Sequence, residues 1–80
     1  MADKIFKFLS KIIEKDRKIL ILIIKRILDN DLNNLNIVKI KGTENIYRCR
    51  KGMYRIIFEI GEVNRIISVY NRDDNTYRDF

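Results

Sequence analysis

The order of apolar and polar residues divides the chain into a helical first part and an extended remainder. After Asp3, a residue type suited to an N-cap, Ile5, Leu9, Ile12 and Ile13 recur at i, i+4, i+7 and i+8, with Phe6 and Phe8 flanking them. That spacing predicts an amphipathic helix ending near Glu14. The polar cluster Glu14-Lys15-Asp16 marks a break, and Asp16 can cap a second helix running from about Arg17 to Asn30. Leu20, Ile23, Ile24, Ile27 and Leu28 form its main stripe, with Ile19, Ile21 and Leu22 around the rest. A helix apolar on nearly every side is expected to be buried on more than one side. The short joint predicts antiparallel packing of the two helices. Two competing readings stand beside this one: Lys4 to Phe8 as a short strand, and fusion of the two helices into one.

Asp29 to Asn36 is rich in Asn and Asp and reads as a loop. From Ile37 the period becomes two. Strands are predicted at Ile37–Lys41, Ile46–Lys51, Tyr54–Ile60 and Arg65–Tyr70, with Gly42, Gly52 and Gly61 in the turns. Two helices followed by hairpin-linked strands give an α+β fold. The expected architecture is a two-helix hairpin (residues 1–30) on one face of a small antiparallel sheet of about four strands (residues 37–72), then a tail (residues 73–80). All of it makes one domain, because 80 residues hide only about 60% of their unfolded surface and support a single thin core.

Strand parity assigns side chains to faces. If Gly52-Met53 is the hairpin loop, Lys51 pairs with Tyr54, Arg50 with Arg55, and Arg48 with Ile57. Paired residues point to the same side, so Arg48, Arg50 and Arg55 converge on one face. Tyr47, Cys49, Tyr54, Ile56, Phe58 and Ile60 take the other, against the helices. In the fourth strand Ile67 and Val69 fall on the core side, and Ile66, Ser68, Tyr70 and Arg72 on the arginine side.

Charge gives this face a meaning. The chain carries 17 Lys plus Arg against 11 Asp plus Glu, a net +6, and residues 39–55 hold Lys39, Lys41, Arg48, Arg50, Lys51 and Arg55 against Glu44 alone. Clustered guanidinium groups repel one another, and their forks match phosphate geometry. A polyanion, nucleic acid above all, would relieve that repulsion. The alternative is local neutralisation by Glu59, Asp73 or Asp74, or a face that merely keeps the protein in solution. Tyr70 is either a stacking platform for a base or an edge residue of the core. With no His, imidazole bases and His-ligated metals are excluded. One Cys excludes internal disulfides and Cys-rich zinc sites and points to a reducing compartment. No cofactor or metal is implied. Lys4, Lys7 and Lys11 interrupt the N-terminal apolar residues, so no signal peptide is read, and the longest apolar run, Ile19 to Ile24, is far shorter than the roughly 20 residues of a membrane span. A cytoplasmic protein is expected.

Several stretches resemble the RelE/ParE family of toxins from type II toxin–antitoxin systems: Lys39-Ile40-Lys41-Gly42, the hairpin Tyr47 to Ile60 with its Tyr54-Arg55, Val69-Tyr70-Asn71-Arg72, and Tyr77-Arg78. The helical segments through Ile12 to Arg17 and Ile24 to Leu28 are also similar to that family's two-helix hairpin. The resemblance covers nearly the whole chain and is closer to the RelE branch. It implies a ribosome-dependent endoribonuclease that cleaves mRNA and inhibits translation, with a cognate antitoxin protein as partner in a toxin–antitoxin hetero-oligomer. By motif position, Arg55, Arg72 and Tyr77 look like the catalytic residues, and Arg48, Arg50, Lys51 and Tyr70 like RNA-binding ones. A ParE-like inhibitor of DNA gyrase, or a non-catalytic nucleic-acid-binding relative, is the alternative. Family members usually begin with a strand; here the helical pattern starts almost at once, so that strand is expected to be missing and a sheet edge left open.

Overall fold

Helix α1 spans Ala2–Lys11 and turns Ile5, Phe8 and Leu9 inward, as its apolar spacing dictates, and Ile12 just after it packs against the same core. The computed structural model describes residues 2–73. The Phe8 ring meets Tyr54 edge-on, with centroids 6.0 Å apart. The chain then extends at Ile13 (φ −65°, ψ 153°), and α2 runs from Glu14 to Leu28. Glu14 and Asp16 thus fall in the first turn, and Lys25 and Arg26 in the last, each where the helix dipole favours its charge.

Asp16 is therefore not the expected N-cap. Ile13 holds that position without a side-chain cap bond. Starting the helix earlier leaves Asp16 facing the sheet, where it accepts a 2.6 Å hydrogen bond from the Tyr54 hydroxyl. This bond, then burial and the Asp16 charge, push the Tyr54 pKa up.

Helix α2 buries Leu20, Ile23 and Ile27. Ile21, Leu22 and Leu28 stay exposed, so the expectation of burial on several sides fails: one sheet offers one packing surface. The helix ends in a Schellman motif. Asn30 takes the left-handed conformation (φ 58°), its N–H donates to the Ile27 carbonyl at 3.0 Å, and the Asp31 N–H donates to the Arg26 carbonyl at 2.8 Å. The buried Asn64 clamps this end: its Nδ2 donates to the Ile27 carbonyl at 2.8 Å and to Asn30 Oδ1 at 3.1 Å, and its Oδ1 accepts from the Gly61 N–H at 3.3 Å.

The strands β1 (Asn36–Lys39), β2 (Ile46–Lys51), β3 (Tyr54–Glu59) and β4 (Arg65–Asn71) form an open antiparallel sheet in the order β1-β2-β3-β4. The fold is α+β, with the helices on one face. Among the described residues no strand precedes α1, and no helix is long and apolar enough to cross a membrane. The helix-side core joins Leu9, Leu20, Ile23, Ile27, Cys49, Tyr54, Ile56, Phe58 and Val69. Phe58 at its centre stacks on Tyr47, with ring centroids 5.8 Å apart. Burying one such side chain contributes about 1.5–3 kcal/mol.

One register change separates sequence from structure. Ile57 pairs with Ser68 but Phe58 pairs with Ile66, leaving Ile67 as the extra residue of a β-bulge. Ile66 therefore packs against the helix-side core, not on the arginine face as strand parity predicted.

Candidate nucleic-acid interface

The β2–β3 turn sets the site. Gly52 occupies its first central position with φ 57°, a conformation that fits a type II′ hairpin and that other residues rarely adopt. With Gly52-Met53 as the loop, Lys51 pairs with Tyr54, Arg50 with Arg55 and Arg48 with Ile57, the expected register. On the next ladder Tyr70 lies opposite Arg55 and Ser68 opposite Ile57. On the β1 side Asn36 lies opposite Arg50 and Val38 opposite Arg48. Arg48, Arg50, Arg55 and Tyr70 thus share the face turned away from the helices.

Arg72 follows β4 and joins the group. Its backbone N–H donates to the Met53 carbonyl at 2.7 Å, which fastens the chain beside the hairpin turn. Arg55 lies within the field of the other three guanidinium groups. Its pKa is lowered, first by burial and then by Arg50, Arg48 and Arg72, while Tyr70 acts in the opposite sense. The side chain nonetheless stays cationic at any physiological pH.

The face is not open at its centre. Arg55 is 9% exposed, Tyr70 8% and Ile57 0%. Arg55 Nη1 donates to the Gly52 carbonyl at 2.9 Å and to the Tyr54 carbonyl at 2.8 Å, so part of the guanidinium braces its own turn. Burial of Tyr70 removes the exposure that base stacking required, so the stacking role expected for it is not met. Among the described residues, Arg48 Nε is buried with no hydrogen-bond partner. A buried donor left so costs about 1–3 kcal/mol, which an incoming acceptor would recover.

Among the described residues, local neutralisation reaches only Arg72 of the cluster. Among the described residues the ion pairs are Arg17–Glu14, Arg26–Asp31, Arg65–Glu59 and Arg72–Asp73, and none involves Arg48, Arg50 or Arg55. Glu59 is held by Arg65, whose Nη2 and Nε lie 3.0 and 3.2 Å from one carboxylate oxygen. Asp73 reaches only Arg72, at 3.7 Å between exposed groups, a pair worth less than about 1 kcal/mol.

Two further site expectations have different outcomes. Lys51 pairs with Tyr54 and takes the helix-side parity, where it lines a groove with Ile19, Leu22 and Cys49. It does not join the arginines, because it is one residue out of phase with Arg48 and Arg50. There it opposes, together with Arg26, the upward push that burial gives the Cys49 thiol. Tyr77 lies outside the described residues, as does Asp74. Asn36 and Val38 are neighbours of the arginines that sequence reasoning missed. Their placement depends on the β1–β2 register, for which the four-residue turn gave no unique solution.

No family model, curated protein or solved structure matches the chain.

Proposed function

We propose that the chain is a RelE-like toxin, a ribosome-dependent endoribonuclease that cleaves mRNA in the cytoplasm and is neutralised by a cognate antitoxin. The observation that carries this reading is the pairing of Arg50 with Arg55 across the hairpin, with Arg48 and Arg72 near enough to depress the Arg55 pKa. In the proposed reaction the ribose 2′-oxygen attacks the adjacent phosphorus. The new P–O2′ bond forms as the P–O5′ bond breaks, and the proton leaving the 2′-hydroxyl is balanced by one delivered to the departing 5′-oxygen. Arg55 and Arg72 stabilise the charge that builds on the phosphoryl oxygens. Arg48 and Arg50 hold the flanking backbone. By the family resemblance Tyr77 transfers a proton. Such a sparse set of groups suits an enzyme whose substrate is aligned by the ribosome.

Expression of the wild type is expected to arrest growth and to cut transcripts. Arg72→Ala is expected to slow cleavage by about 10²–10³-fold, the effect of losing one transition-state donor. Equal toxicity without cleavage counts against the proposal and points to a gyrase target, which a supercoiling assay identifies. A second reading, a non-catalytic RNA-binding module, is favoured by the two bonds from Arg55 Nη1 to its own turn, which give that guanidinium a structural role. Unchanged growth together with salt-sensitive RNA binding would decide for it.

A further inference from the structure

A cleft of about 370 Å³ lies at the β1–β2 end of the sheet, lined by Val38, Lys39, Ile40, Lys41 and Arg48. The turn beside it is well fixed. Gly42 adopts φ 85°, and the Thr43 hydroxyl donates to the Ile40 carbonyl at 2.7 Å, with the Ile46 carbonyl also in reach at 3.3 Å. The Ile40 N–H closes the ladder onto the Ile46 carbonyl at 2.9 Å. Three cationic residues therefore border a pre-shaped hollow, and among the described residues none of the three has an ion-pair partner.

A second observation points to a ligand there. Among the described residues, Arg48 Nε is buried without a partner. Arg48 also belongs to the arginine face, since it contributes to lowering the Arg55 pKa. The hollow is thus continuous with that cluster and extends it across β2 to β1. An acceptor of single negative charge with several lone pairs fits a hollow bordered by three cationic residues and lined by no carboxylate.

We infer that this cleft is a second anion subsite, which holds a backbone phosphate of single-stranded RNA one or more nucleotides along from the phosphate at Arg50, Arg55 and Arg72. The identity of the strand as RNA rests on the proposed function. The subsite fixes the direction in which the strand crosses the sheet, from Arg72 on the β4 side to Lys39 and Lys41 beside β1. Lys39 and Lys41 then act in binding and not in bond cleavage.

The test is binding of labelled octauridylate and of the dinucleotide UpU, which has a single phosphate, over a range of salt concentrations. The double variant Lys39→Ala/Lys41→Ala changes exposed side chains only and is expected to fold. On octauridylate its slope of log K against log salt should be shallower than wild type by about 0.7, the release expected for one single-strand phosphate contact. Binding of UpU should be unchanged, because the arginine cluster takes the only phosphate. Lys18→Ala, on the outer side of α2, should leave both unchanged. An unaltered octauridylate slope in the double variant, with binding still weakened by Arg55→Ala, overturns the subsite and leaves the proposed function standing. Loss of UpU binding in the double variant, or an equal change in Lys18→Ala, also overturns it. Indifference to Arg55→Ala as well as to the lysines overturns the proposed function along with the subsite.

Discussion

Ile57 and Phe58 are adjacent in β3, both are 0% exposed, and they point to opposite faces of the sheet. Phe58 enters a cluster of apolar side chains supplied by both helices and three strands. Ile57 is set between Arg48 and Ser68, in the same row as Arg55. Equal burial thus conceals two unlike environments. One face is dry and apolar and holds the fold together. The other is shielded yet cationic, and the long arginine stems cover apolar surface while their heads remain charged. Burial by itself says little about what a surface is for; the chemistry of the neighbours says more.

The sharpest way to break this contrast is to cut both residues. Phe58→Ala should destabilise the protein by about 3–5 kcal/mol, by transfer and cavity terms together. Ile57→Ala should cost about 2 kcal/mol, the low end for such a truncation, because flexible arginine stems can settle into the space. Urea unfolding measures both, and equal losses would mean that the arginine face is packed as tightly as the core. A smaller effect, of opposite sign, is expected from Arg48→Met. Removing a buried unpartnered donor while keeping volume should raise stability by about 1–2 kcal/mol in low salt, and weaken RNA binding at the same time. A variant that loses stability instead would show that Arg48 serves the fold.

The smallest effect tests the seam between helices and sheet. Tyr54→Phe removes the bond to Asp16 and should cost about 1 kcal/mol at neutral pH. The sign of its pH dependence follows from the raised Tyr54 pKa. Between the ordinary tyrosine value, near 10, and the raised native one, the unfolded chain has lost its proton and the folded chain has kept it. Stability from this group is therefore complete below about pH 10 and falls as pH rises through the native value. Wild type should lose stability in that alkaline window, and Tyr54→Phe should lose less. Matching slopes would remove the hydrogen bond as the cause.

Much of the arginine face could be read in the letters. Gly52-Met53 between two alternating runs fixes a two-residue loop, and loop length fixes register, so the Arg50–Arg55 pair followed directly. What was not legible depended on tertiary context. Asp16 has the chemistry of a cap and of an acceptor for a distant tyrosine, and only folding chooses between them. The apolar circumference of α2 promised more partners than the sheet provides, so Ile21, Leu22 and Leu28 remain exposed. The β4 bulge leaves no local mark, since Ile66 and Ile67 are the same residue type side by side.

That irregularity has a consequence for how β4 tolerates change. Because alternation restarts at Ile67, Ile66 and Val69 both reach the helices though three positions apart, and Tyr70 still arrives opposite Arg55. Deleting Ile67 would leave every pair of the ladder in place, with Ile66 still opposite Phe58 and Tyr70 still opposite Arg55, so β4 can lose this one position without a slip of register. The extra residue is thus the point at which this ribbon can shorten by one without turning either face over.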